Sequence, residues 1–126
     1  MSLSLELCRE LKAAGAPQDK TEWIWIIFPD PPIGTGGARQ VLRANWDFRQ
    51  GNEWVADWNS DELIAQIQAE WPDTGICLVG PNTHLKPEKL WHAETCEWEG
   101  DETIDAWAPS PAEALARLYI ALMEAK

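Results

Sequence analysis

The sequence predicts an α+β domain in which an antiparallel or mixed sheet is packed by three helices, in the order α-β-β-β-α-β-β-β-α. Three observations lead there. Apolar residues recur at helical spacing near both ends and in the middle of the chain, β-branched and aromatic runs lie between them, and Gly, Pro, Asn and Asp separate the segments. A length of 126 residues is near the commonest domain size, so one domain over residues 1–126 is expected.

Leu3, Leu7 and Leu11 repeat every four residues beside Cys8, with Ser2 or Ser4 available as a cap and Gly15 and Pro17 closing the end. This is a first amphipathic helix. Glu22 to Phe28 is β-branched and aromatic after its first residue. Trp23, Trp25 and Ile27 fall on one side and Ile24, Ile26 and Phe28 on the other, as in a central strand covered on both faces. Its tryptophans are expected in the core.

Pro29 to Gln40 is rich in Pro and Gly and predicts a loop. Within it, Gly34-Thr35-Gly36-Gly37 lacks the lysine of a phosphate loop and precedes a strand instead of a helix, so a flexible connection is expected. Leu42, Ala44, Trp46 and Phe48 then alternate with polar residues, and after Gln50-Gly51-Asn52 the alternation resumes at Trp54, Ala56 and Trp58. That pattern predicts a hairpin with one aromatic face.

Asn59 or Ser60 can cap a second helix, with Asp61 and Glu62 in its first turn and Leu63, Ile64 and Ile67 along one side, until Pro72 stops it. Ile76 to Val79 predicts a short strand, and Pro81 to Lys89 a polar loop. Leu90 to Glu99 and Glu102 to Ala108 flank Gly100-Asp101 and predict a second hairpin. Ser110-Pro111-Ala112-Glu113 opens the last helix with a cap, a first-turn proline and an acid at the third position, ahead of the stripe Leu115, Leu118, Tyr119 and Leu122.

Acidic residues outnumber basic ones 21 to 10, a net charge of −11. Such a field repels nucleic acid and anionic membranes and steers the chain towards a cationic protein surface. The longest apolar run is one strand long, too short to span a bilayer, and the start lacks the basic and apolar regions of a secretory signal. The cytoplasm is therefore the expected compartment. Cys8, Cys77 and Cys96 are odd in number and far apart, which predicts reduced, structural thiols.

Candidate chemistry is sparse. His92 and Cys96 have ligand-like spacing, yet four residues of a strand cover about 13 Å, too far for one zinc ion, so no metal and no cofactor are expected. No nucleophile elbow or serine–histidine motif is visible, which predicts a non-enzymatic role. Glu94, Glu97, Glu99, Asp101, Glu102 and Asp105 crowd the last hairpin turn as a solvated acidic edge, and they are the partner-binding candidates. Nine tryptophans are far more than such a chain ordinarily carries. Trp46, Trp54 and Trp58 are expected to share the inner face of the first hairpin as core, the rival reading being an aromatic pocket for a nucleotide-like or sugar-like ring. A hydrolase built on paired carboxylates is the third reading, and it requires two of them facing each other in a cleft.

Two end segments add a resemblance. Leu5-Glu6-Leu7-Cys8-Arg9-Glu10-Leu11-Lys12-Ala13-Ala14-Gly15-Ala16-Pro17-Gln18 and Ser110-Pro111-Ala112-Glu113-Ala114-Leu115-Ala116-Arg117-Leu118-Tyr119-Ile120-Ala121-Leu122 resemble the ends of small accessory proteins of unassigned activity encoded in prophages and other mobile elements. The resemblance implies an accessory role during infection or element maintenance, exercised by binding a host or element protein. The function expected is thus an inhibitor of a host defence or nucleic-acid-handling protein, acting through the acidic surface.

Overall fold

The structure is a computed structural model that describes residues 3–28, 37–96 and 103–125. Three helices and two three-stranded antiparallel sheets make it α+β, in the order the sequence predicts. The chain divides into two compact units, Ser2–Trp58 and Asn59–Lys126.

In the first unit, α1 spans Leu5–Ala14. The Ser4 hydroxyl accepts from the Leu7 amide at 3.2 Å, and Gly15 closes the helix at φ 105°, a left-handed conformation that glycine adopts without Cβ strain. Leu7, Cys8 and Leu11 form its buried stripe. The strand β1 (Trp23–Ile27) is central, flanked by β2 (Ala38–Leu42) and β3 (Glu53–Asp57), both antiparallel to it. Trp25 stands opposite Gln40 on one side and Val55 on the other. Ile24, Ile26 and Ala56 are fully buried, and α1 packs on β3.

The first predicted hairpin does not form. β2 and β3 lie on opposite sides of β1 instead of against each other; β2 begins at Ala38, inside the stretch expected to be loop, and ends at Leu42, where the first hairpin strand was expected to start. Residues 43–49, expected to be extended, and Gln50, expected in the turn, form two 3₁₀ segments at Arg43–Asn45 and Phe48–Gln50. The reason is Arg43, which leaves the strand pattern to donate from Nε to the Thr21 carbonyl (2.7 Å) and from Nη2 to the Gln18 carbonyl (2.6 Å) and the Thr21 hydroxyl (2.9 Å). Asp47 caps the second turn, and Gly51 at φ 74° ends it.

In the second unit, α2 (Ser60–Glu70) opens on a reciprocal capping box. The Asn59 side chain accepts from the Glu62 amide and the Glu62 carboxylate accepts from the Asn59 amide. Strands β4 (Ile76–Val79), β5 (Trp91–Thr95) and β6 (Asp105–Ala108) follow in spatial order, β5 and β6 being the second predicted hairpin. A short 3₁₀ turn at Pro87–Lys89 ends the predicted polar loop.

Last comes α3 (Pro111–Glu124), with the Ser110 hydroxyl accepting from the Glu113 amide. Leu115, Leu118 and Leu122 are fully buried where α3 meets α2, β5 and β6. Each such leucine contributes about 1.5–3 kcal/mol relative to an exposed one. Ala93 on β5 and Ala108 on β6 are buried too, their small side chains letting the helix approach the sheet.

The expectation of three reduced cysteines is overturned: Cys77 and Cys96 form a disulfide and only Cys8 is free. Register explains it. Cys77 stands opposite Glu94, so Cys96, two residues further along, is its diagonal neighbour on the same side, with the two Cα atoms 6.2 Å apart.

Candidate functional site

The predicted acidic edge is only partly within the described residues. Glu97, Glu99, Asp101 and Glu102 lie outside them. Glu94 and Asp105 lie inside and stand directly opposite each other on β5 and β6. Strand alternation puts them on the side of the sheet that α3 does not cover, together with His92 and Trp107, the adjacent cross-strand pair. The His92 ring stacks on Trp107, with centroids 4.0 Å apart and planes at 17°, and its Nε2 lies 2.9 Å from Asp105 Oδ2. Lys89 holds its ammonium 5.9 Å from the centre of the Trp107 ring. The face is therefore a flat aromatic stack bordered by a lysine and two carboxylates, one of them shared with His92.

Of the three tryptophans expected to share one face, Trp46 leaves it. Trp58 follows β3 and is 1% exposed, and its indole N–H has no hydrogen-bond partner among the described residues. Trp54 lies edge-on to Phe48 at 5.2 Å, with the Arg43 guanidinium 5.2 Å from its ring centre. Trp46 alone reaches an open groove of about 470 Å³ beside β2, where it is joined by Trp23. Trp46 parts from the other two because β2 stops at Leu42: it rides on the 3₁₀ turns and has no strand position to share with Trp54.

Trp23, expected in the core, is 41% exposed. It opens β1 opposite Leu42, and its place at a strand end was the one signal for this. Arg39, Asn45 and Gln50 line the same groove with exposed polar ends. Asp47 lines it too, its carboxyl held below the usual carboxylate range by the guanidinium and backbone amide of Arg49.

Both walls of the groove are braced from behind. One is anchored by the three Arg43 hydrogen bonds. On the other, Gln40 donates from Nε2 to Oδ2 of the buried Asp57 at 2.7 Å. The Cys8 thiol donates to the second oxygen of the same carboxylate at 3.7 Å. Burial first, and the Asp57 charge second, push the Cys8 thiol up to about 12, so it is a neutral donor and not a nucleophile at ordinary pH.

Among the described residues no cluster of three or more His, Cys, Asp or Glu side chains is placed to hold a metal ion, and the disulfide occupies both Cys77 and Cys96. No helix among them is long and apolar enough to cross a membrane. No family model, curated protein or solved structure matches this chain.

Proposed function

We propose that this chain is a non-enzymatic binding protein whose partner is a basic protein surface, and that it acts as an inhibitor of a host defence or nucleic-acid-handling protein in the mobile-element setting its ends resemble. The observation that carries this reading is the facing pair Glu94 and Asp105 on the open side of the second sheet, in a chain of net charge −11. The Asp105 side chain is 50% exposed, and Glu97, Glu99, Asp101 and Glu102 fall in the sequence between β5 and β6. Carboxylates so grouped stand in for phosphates towards lysine and arginine, while the same charge disfavours nucleic acid and anionic membranes.

The non-enzymatic part rests on the sequence, in which no nucleophile motif is visible. His92 pairs with Asp105 and stacks on Trp107, an arrangement suited to fixing the ring on this face. A cytoplasmic site of action belongs to this reading.

Affinity for a nucleic-acid-binding protein with a strongly basic groove, measured across salt concentrations, tests it. Binding is expected to weaken steadily with salt and to fall at least tenfold when Glu94, Glu97, Glu99, Asp101, Glu102 and Asp105 are replaced together by their amides. Salt-independent binding, or full binding by that variant, overturns the reading.

The groove beside β2 favours a second reading, a small-ligand binder, because it brings two indoles and several polar side chains around one concavity. Quenching of tryptophan fluorescence by a metabolite, undiminished in the amide variant, supports it over the first.

A further inference from the structure

We propose that the groove beside β2 takes a neutral saccharide, its sugar ring laid against the indoles of Trp23 and Trp46 and its hydroxyls held by Asn45, Gln50 and Arg39. The proposal rests on the second reading above, that this groove is a ligand site. Its volume of about 470 Å³ falls within the roughly 300–1,000 Å³ usual for small-molecule sites, and it is open to solvent.

Chemistry selects the ligand. Indole faces accept the apolar C–H side of a pyranose ring as readily as a nucleobase, so stacking alone does not choose. Hydrogen-bonding groups narrow the choice: the Asn45 and Gln50 side-chain amides each donate and accept, as sugar hydroxyls do. Charge decides. A nucleotide or a nucleic acid brings phosphate into the field of a chain at −11, whereas a neutral saccharide meets no such penalty.

The walls are set before any ligand arrives. Arg43 pins the turn that carries Asn45 and Trp46 to two backbone carbonyls and the Thr21 hydroxyl, and the buried Asp57 holds the Gln40 amide on the opposite side. Binding then requires little ordering of the protein.

The test is fluorine NMR of the full chain labelled with 5-fluorotryptophan, with the Trp23 and Trp46 resonances assigned through Trp23→Phe and Trp46→Phe. The probes are cellohexaose, maltohexaose, chitohexaose and, as an anionic planar ligand, uridine monophosphate. At least one hexasaccharide is expected to move both resonances and leave Trp58 unmoved, with at least a tenfold weaker affinity in Trp46→Ala. Asn45→Ala, at an exposed position, is expected to weaken binding several-fold. Shifts from uridine monophosphate with all saccharides silent overturn the saccharide class and leave the groove a ligand site. Silence from every probe overturns both, and full affinity in both alanine variants overturns the placement.

Discussion

The phenol of Tyr119, fully buried on α3, donates its hydrogen bond to the carboxylate of Glu70, the last residue of α2. Gln66, one turn earlier, donates to the same oxygen at 2.9 Å, and the Trp71 ring stands edge-on to Tyr119 at 5.7 Å. This polar tie joins two helices that otherwise meet through apolar side chains. Tyr119→Phe keeps the ring and removes the donor, so a loss of about 1.5–3 kcal/mol is expected in urea unfolding. Glu70→Gln should cost less, because an amide oxygen still accepts. A Tyr119→Phe variant as stable as the parent would show that the bond contributes nothing net.

Stability should fall on the alkaline side. Burial, then Glu70, raises the Tyr119 phenol above its ordinary value of 10.0, and burial, then Asp57, raises Cys8 from 9.0 to about 12. Both groups are neutral in the fold and release their protons earlier when unfolded. The unfolded chain therefore holds fewer protons, and the contribution, complete below pH 9.0, is lost between there and about 12 for Cys8, and from 10.0 upward for Tyr119. Each group adds a slope of at most about 1.4 kcal/mol per pH unit. Denaturation midpoints from pH 8 to 12 check this, with Cys8→Ser expected to flatten the lower part of the fall.

Thiol counting tests the disulfide directly. Unfolded without reductant, the chain should titrate one thiol, Cys8, and after reduction three. The bond spans 19 residues, and closing a loop of that size is worth about 3 kcal/mol in the chain-entropy account. Cys77→Ser with Cys96→Ser should lower the melting temperature by several degrees and make it insensitive to reductant. Three titratable thiols in the oxidised, unfolded protein would dismiss the pairing.

Arg43 should be the most sensitive exposed-side position of the first unit. Arg43→Ala removes three hydrogen bonds to Thr21 and Gln18 and the cation above Trp54, and a loss of about 2–3 kcal/mol is expected, with a red shift in tryptophan emission as the turn loosens. Arg43→Lys should recover little of it. An ammonium cannot reproduce a fork that reaches two carbonyls and a hydroxyl together. Rescue by lysine would mean that charge, and not geometry, holds the turn.

Helix ends were the most legible feature of the sequence. Ser110, Pro111 and Glu113, the Asn59–Glu62 box and Gly15 each act over three or four residues, so their pattern along the chain is already their structure. The central place of β1 was legible from its two apolar faces, and so was the pairing of β5 with β6, which brings Glu94 opposite Asp105. The candidate groove was not. Trp46 was singled out for the wrong neighbours and Trp23 for the core.

Local periodicity, capping chemistry and charge balance thus settled the α+β class, the order of its elements and the acidity of its surface, because all of these are carried by residues close in the chain. Which strands pair, which cysteines meet and which indoles reach solvent were settled by contacts across the fold. Arg43 finds its carbonyls 22 and 25 residues away, and Cys77 finds Cys96 across 19. An alternating run such as Leu42 to Phe48 has the same pattern whether or not a distant partner bends it into turns, and the energy that decides between the two lies in that partner.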